Sequence, residues 1–260
     1  MADRERNIWI TGAGSGIGAQ MAMQFASAGH RVIISGRNAE RLKEVAQHYP
    51  KHILPLTFDV TDEAAVATTT NAIQNLCPWL DCVILNAGSC EYTDPPTLDP
   101  AMFKRVMDTN FFGLLNAFNV ALPLLRQAPA RPHLLGVASM ASYVGFPRAE
   151  AYGSSKAAAS YLLNSLRADF GHWLDITVVN PGFVTTPMTA SNDFPMPFLI
   201  SGEEAASRIV RGMKSRPLTL NFPRRLHWSL RLAQLLPGVW YKHIIPRLHK
   251  TDSDKEGRNG

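Results

Sequence analysis

Residues 7–28, NIWITGAGSGIGAQMAMQFASA, decide the architecture. Residues 7–10 read as a short apolar strand, glycines at 12, 14, 16 and 18 as a turn, and residues 17–28 as an amphipathic helix. Glycines in such a turn let the backbone come close to a pyrophosphate, and the N–H groups at the helix start then face the anion. The spacing Gly12-x-x-x-Gly16-x-Gly18 differs from the Gly-x-Gly-x-x-Gly of long dinucleotide domains. Glycines also make ordinary turns. Their position between an apolar strand and an amphipathic helix is what points to a cofactor loop.

Outward from this unit the pattern repeats. Strands are expected at 7–10, 31–35, 53–58, 82–85, 133–138 and 175–180, and helices at 17–28, 39–48, 63–76, 100–125, 149–171 and 203–214. Alternation of this kind predicts an α/β fold with a mostly parallel sheet. A chain of 260 residues, 46% of them hydrophobic, is long enough for one such domain with a substantial core. No stretch reaches the roughly 18 to 20 unbroken apolar residues of a spanning helix. The charged MADRERN runs straight into the first strand and does not read as a secretory signal, so a cytoplasmic protein is expected. Cys77, Cys82 and Cys90 show neither metal-ligand spacing nor a disulfide framework and read as reduced thiols. Cys90 alone is placed where it could touch a substrate, with a loop thiol of no role as the alternative. The eight histidines form no ligand cluster, and no metal site is proposed.

Chemistry is suggested by AYGSSKAAAS, residues 151–160, where Tyr152 and Lys156 stand four apart, with Ser139 thirteen residues upstream. Helical spacing puts both on one face, so the Lys156 ammonium is expected to favour the ionised phenol. A nearby cation lowers an acid's pKa by about one to three units from a tyrosine value of about 10. The phenol would then lie near working pH, where a general acid or base acts best.

The set Thr11-Gly12-x-x-x-Gly16-x-Gly18, Asp59-Val60, Asn86-Ala87-Gly88, Asn110, Ser139, Tyr152-x-x-x-Lys156 and Pro181-Gly182 resembles the short-form branch of the short-chain dehydrogenase/reductase family, in order and spacing over about residues 7 to 220. The resemblance implies a single-domain doubly wound Rossmann fold. It implies that Gly12, Ser15, Gly16, Ile17 and Gly18 cradle the cofactor, and that Asn86, Ala87 and Gly88 pack beside its ribose. Asp59 with Val60 would meet the adenine, a loop and capping role being the alternative. Pro181, Gly182, Val184 and Thr186 would hold the nicotinamide amide, with Thr185 competing for the hydroxyl role. Tyr152 would be the acid/base, Lys156 its tuner and a ribose ligand, and Ser139 the carbonyl's hydrogen-bond partner. Asn110 would support a proton relay; a surface or kink residue is its bland reading. Leu85 stands where the family often has a further Asn, a change expected to affect strand packing more than chemistry. At the end of the second strand, Gly36 removes the carboxylate that would bind the 2′-hydroxyl of NAD, and Arg37 offers a cation to a 2′-phosphate. NADP is therefore expected over NAD, against the alternative of an ordinary solvated arginine.

Two segments lie outside the motifs. Residues 187–201, PMTASNDFPMPFLIS, are apolar and irregular and sit where a lid over the ligand would sit. Residues 221–250 carry six Lys/Arg (Arg224, Arg225, Arg231, Lys242, Arg247 and Lys250) and no acid, against a whole-chain charge of +5. The domain is therefore expected to span 1–220, followed by a helical basic extension over 221–250 and a disordered polar tail over 251–260. Leu226, Leu230, Ala233, Leu236 and Trp240 have helical spacing. The extension could pack onto the domain, form a dimer contact or meet an anionic membrane surface. No Val-Asp-Gly-Gly terminal strand is evident. If the extension replaces that strand, a homodimer through the Asn110 and Tyr152 helices is expected rather than a tetramer. Terminal charge without a recognition fold argues against a nucleic-acid partner. The reading is NADP(H)-dependent interconversion of a ketone or aldehyde with its alcohol, on a small to medium lipophilic substrate. The alternatives are an NADP-binding redox sensor without turnover, or nucleotide-sugar epimerisation or dehydration.

Overall fold

Strands made of unbroken apolar runs are stable only where both faces are covered, and β1 (Asn7–Thr11) is buried along its whole length. In the computed structural model, which describes residues 4–190, 192 and 194–247, the turn after β1 leads into α1 (Gly16–Ser27). The alternation continues through β2 (Arg31–Gly36), α2 (Ala39–Gln47), β3 (Ile53–Thr57), α3 (Val66–Leu76) and β4 (Cys82–Leu85). Next come α4 (Pro100–Met107), α5 (Gly113–Arg126), β5 (His133–Val137), α6 (Glu150–Phe170) and β6 (Asp175–Pro181). A small pair, β7 (Val184–Thr185) and β8 (Ile200–Ser201), brackets the lid segment before α7 (Gly202–Gly212), β9 (Thr219–Phe222) and α8 (Arg224–Leu235).

The main sheet has the order β3-β2-β1-β4-β5-β6-β9, and every pairing is parallel. The strand order reverses between β1 and β4. That crevice, at the carboxyl ends of the strands, is where open α/β sheets bind ligands. Alternate residues serve opposite faces: Trp9, Ile33, Val83 and Leu134 pack with α3, α5 and α6, while Ile8, Ile10, Val32, Ile34 and Leu135 pack with α1, α2 and α7. Trp9 is fully buried, and its indole N–H donates to Ser35 Oγ at 2.7 Å, so the largest core side chain leaves no unpaired donor.

Three expectations need correction. The stretch 100–125 is not one helix: a π-helical turn over Asp108–Phe112 joins α4 to α5, with Asn110 at its centre and 1% exposed. The sheet does have a seventh strand, since β9 pairs with β6 from Val178↔Thr219 to Pro181↔Phe222. The boundary placed after residue 220 therefore falls inside a strand, and the extension follows the terminal strand and does not replace it. In the apolar stripe of the extension, Leu226, Leu230, Ala233 and Trp240 pack against Met140, Tyr143, Phe146 and Phe183, but Leu236 is 48% exposed. Helix α8 ends at Leu235, and Leu236 has left helical geometry at φ −122°, so the helical spacing no longer holds beyond it. Lys250 and the tail 251–260 lie outside the described residues.

Candidate active site

Two cavities meet at the carboxyl edge of the sheet. The first, about 320 Å³, is walled by Gly12, Ser15, Gly16 and Ile17 of the glycine turn, by Asn86, Ala87 and Gly88 after β4, and by Asp59 and Val60 after β3. Gly12 has φ +66°, and a Cβ there would lie 2.6 Å from Ala87 Cα. Gly18 does not line the cavity, but a Cβ on it would lie 2.5 Å from the Gly12 carbonyl oxygen, so it lets α1 close on the turn. The start of α1 carries no acidic residue in its first turn, and its N-cap residue Ser15 makes no side-chain cap bond. Its N–H groups are thus left for an anion. Thr11 and Asn86 fix the crevice: Thr11 Oγ1 accepts from the N–H groups of Asn86 and Ala87, at 3.0 and 3.1 Å, and Asn86 Nδ2 donates to the carbonyls of Thr11 and Gly12.

At one end of this cavity lie Arg37 and, unforeseen, Arg41, both exposed. Arg41 sits one turn into α2, where the Asn38 side chain accepts from its backbone N–H. The signal was present in Arg-x-x-x-Arg, with Arg37 just before the helix cap and Arg41 in the first turn of α2. Asp59 lines the cavity while its Oδ1 accepts from Thr61 N–H and Oγ1, and the neighbouring Asp62 caps the next turn. Cavity lining and turn formation thus coexist at Asp59. At the other end are Pro181, Gly182, Val184 and Thr186, and the structure separates the two threonines. Thr186 lines the cavity, whereas Thr185 is exposed and pairs with Ser201. Thr189, also unforeseen, holds this bend by donating to the Val184 carbonyl at 2.7 Å and accepting from Thr186 N–H at 3.0 Å.

Ser139, Tyr152 and Lys156 all line the first cavity. Lys156, 5% exposed, donates to the Val137 carbonyl at 2.9 Å, and its Nζ stands 5.9 Å from the Tyr152 ring centroid. Asn110 is not in the wall. It lies behind it, accepting from Ser89 N–H at 2.8 Å and donating to the Ser89 carbonyl and to Ser155 Oγ, both at 2.9 Å. Ser155 in turn donates to the Tyr152 carbonyl at 2.7 Å. The π-helical turn is what aims Asn110 inward.

The expected tuning of Tyr152 is reversed in the protein alone. Burial pushes the phenol up to about 12, helped by Cys90, and a hydrogen bond with Ser139 is the opposing influence. Burial pulls Lys156 down to about 8. Sequence spacing gave the shared helix face but neither the depth of the site nor the Val137 carbonyl that engages the ammonium. Desolvation is the largest influence on the phenol, ahead of the Ser139 hydrogen bond that opposes it.

The second cavity, about 400 Å³, opens from the same wall. Ser139, Tyr152, Gly182, Met188 and Thr189 belong to both. Its lining is mostly apolar: Met140 and Phe146 after β5, Phe183 just before β7, Phe194 and Phe198 of the lid segment, and Leu226, Leu230, Trp240 and Ile244 of the extension. The lid expectation and the packing of the extension thus converge on one chamber, though residues 191 and 193 lie outside the described set. Cys90 also faces this chamber, beside Tyr92, and burial raises both groups, so the thiol is protonated at neutral pH.

Comparisons agree with this geometry. A family model described as short chain dehydrogenase matches residues 6–195. An uncharacterized oxidoreductase of Myxococcus xanthus is 33% identical over 247 residues, covering 94% of this chain and 97% of that protein. Dehydrogenase/reductase SDR family member 7B of Bos taurus is 32% identical over 196 residues, covering 72% of this chain but only 60% of that protein. A solved structure of Pseudomonas aeruginosa RhlG, an NADP active-site complex, superposes with a TM-score of 0.76 at 24% identity, over 84% of this chain and 94% of that one. Together with the doubly wound parallel sheet, these matches establish that the chain belongs to the short-chain dehydrogenase/reductase family.

Proposed function

We propose that this chain is an NADP(H)-dependent oxidoreductase that interconverts a ketone or aldehyde with its alcohol, on a small to medium lipophilic substrate. The observation that carries the proposal is the shared wall. Ser139 and Tyr152 stand between a glycine-lined, cation-ended cavity and an apolar one. Any group reaching Tyr152 from the apolar side meets the other cavity there, which is the proximity that a transfer between two bound molecules requires.

The first cavity fits a dinucleotide. Backbone N–H groups at the start of α1 suit a pyrophosphate, and the Cβ-free approach at Gly12 leaves room for it. Arg37 and Arg41 suit a 2′-phosphate better than a bare ribose, which favours NADP. When bound, the nicotinamide supplies or accepts the hydride. The protein handles the proton and the geometry. Ser139 Oγ and the Tyr152 hydroxyl converge on the carbonyl oxygen, and Tyr152 gives up its proton as that oxygen gains charge. A phenol pushed up to about 12 is almost wholly protonated at neutral pH, so the form that donates to a carbonyl is the resting one. Lys156, held at the Val137 carbonyl, is placed to bind a ribose hydroxyl and to stabilise the phenolate left behind. Asn110 and Ser155 keep the start of α6 in register with the Ser89 backbone.

The test is oxidation of NADPH and of NADH by purified protein over a panel of ketones and aldehydes graded in size and apolarity. Turnover with lipophilic members and preference for NADPH are expected. Calorimetric binding of NADPH without oxidation by any carbonyl compound would replace this reading with that of a cofactor-sensing protein.

A further inference from the structure

We propose that the outer face of α8 and the turn that follows it docks on an anionic lipid surface, with the mouth of the apolar cavity turned toward the bilayer. Helix α8 carries two apolar stripes. Leu226, Leu230 and Ala233 are spent on the core. Trp228, Leu232 and Leu235, spaced by four and three, share the opposite face, and they are 63%, 58% and 78% exposed. Leu236, Val239 and Tyr241 prolong this exposed set into the next turn. Single exposed leucines are ordinary, but a stripe at helical spacing needs a partner.

The surrounding charge selects the partner. Arg224 and Arg225 open the helix and Lys242 and Arg247 follow it, while Arg231 folds over the Tyr143 ring on the inner side, and residues 221–250 contain no Asp or Glu. A second copy docking by twofold symmetry would set this cationic face against itself. A nucleic acid would use the cations and leave the leucines in water. A bilayer with anionic headgroups takes both, the leucines and Trp228 at the acyl boundary and the arginines among the phosphates. Among the described residues no helix is long and apolar enough to cross a membrane, so the contact is in-plane. Ile244, Met188 and Phe198 line the apolar cavity and are also 38%, 40% and 45% exposed, which puts its rim on the surface, and Ile244 follows the exposed Tyr241 by three residues. A substrate dissolved in lipid could then enter without crossing water; that last step rests on the function proposed above, whereas docking itself does not.

The experiment is flotation of the purified full chain with vesicles of phosphatidylcholine alone, or of equal parts phosphatidylcholine and phosphatidylglycerol. Binding to the anionic vesicles is expected to exceed binding to the neutral ones by about tenfold, to weaken with added salt, and to fall about tenfold in Trp228→Ser/Leu232→Ser/Leu235→Ser. Should that variant fold poorly, Arg224→Glu/Arg225→Glu keeps the apolar stripe and is expected to abolish the preference for anionic vesicles. Equal binding to both vesicles, or undiminished binding by a folded variant, overturns the proposal. So does a native oligomer whose mass the serine variant halves in the absence of lipid, because the stripe would then be a contact between copies. Flotation reads no turnover, so its outcome is independent of the carbonyl panel.

Discussion

Replacing Tyr152 by Phe removes one oxygen from the wall shared by the two cavities and leaves the ring where it packs. The cofactor side should be almost untouched. Gly12, the start of α1 and Lys156 are held by backbone contacts and by the Val137 carbonyl, none of which involves the phenol. The lost group is the proposed proton donor, and such a group contributes about a hundred- to ten-thousand-fold in rate. With the phenol near 12 and the lysine near 8, the pH profile has a defined sign. Carbonyl reduction should be flat through neutral pH and decline as pH rises past about 8, where Lys156 loses its charge and can no longer stabilise the phenolate. Alcohol oxidation, which begins from the phenolate, should rise with pH over the same range. The assay is steady-state turnover in both directions on a substrate found by the panel, with calorimetry to confirm NADPH binding by the variant. A second phenol, Tyr92, lines the apolar cavity, so Tyr92→Phe is the matched control and should retain turnover. Tyr152→Phe activity within tenfold of the parent, with the same pH profile, would mean that the phenol is not the proton donor.

Arg37→Ala is expected to weaken NADPH binding by about 1.5 to 3 kcal/mol and to leave NADH nearly unchanged; Arg41→Ala should act in the same sense, and equal losses for both cofactors in calorimetry would remove the 2′-phosphate role. His133, buried in β5 with Nε2 at 2.9 Å from Thr177 Oγ1, is pulled by burial down to about 4. Its folded value is depressed, so the unfolded chain takes up the proton first, and roughly 3 kcal/mol of stability present above pH 6.5 is lost as pH falls toward 4. Urea titrations of the parent and of His133→Gln should show that slope in the parent alone; a shared slope would assign it elsewhere. Deleting residues from Arg224 onward uncovers Met140, Tyr143 and Phe146 and opens the apolar cavity, so the melting temperature should fall by about 5 °C or more; unchanged melting would mean that the extension contributes little to the fold.

What the sequence made legible is what local rules determine. The apolar runs of β1 to β6 and the glycine turn could be read because a strand buried on both faces, and a loop with backbone at positive φ, each demand particular residues. β9 escaped because Thr219 to Phe222 is a short edge strand only partly buried, with nothing in TLNF to set it apart from a loop. The break in the α4–α5 helix was visible as an Asn in an apolar helix, but its π geometry depends on Ser89 and Ser155, distant in sequence. Arg41 was overlooked because a second arginine in a polar helix is common, and only the fold shows it facing the same cavity as Arg37. The sign of the Tyr152 shift could not be read at all: it is set first by burial, which does not follow from four-residue spacing.

The division between the two cavities follows the same line. The residues proposed to meet the cofactor and move the proton come from strand ends and one helix, where backbone geometry fixes them to within a hydrogen bond, and they form a motif because that geometry admits few side chains. The apolar chamber comes instead mainly from four segments without a motif: the loop of Cys90 and Tyr92 after β4, the turn after β5, the lid between β7 and β8, and the extension. Its polar members include Cys90, Tyr92, Arg148, Thr189, Asn192 and, on α8, Ser229, while Leu226, Leu230, Trp240 and Ile244 offer only shape. A substrate would therefore be held at its carbonyl by Ser139 and Tyr152 and elsewhere by apolar contact, which at about 25 cal/mol per Å² favours extended hydrocarbon over small polar aldehydes. Trp240 links this chamber to the fold, since its indole donates to the Gly145 carbonyl at 3.1 Å and its ring meets Phe146 edge-on at 5.5 Å. A change in the extension would thus act on substrate choice through Trp240 and reach the proton chemistry only through the wall that both cavities share.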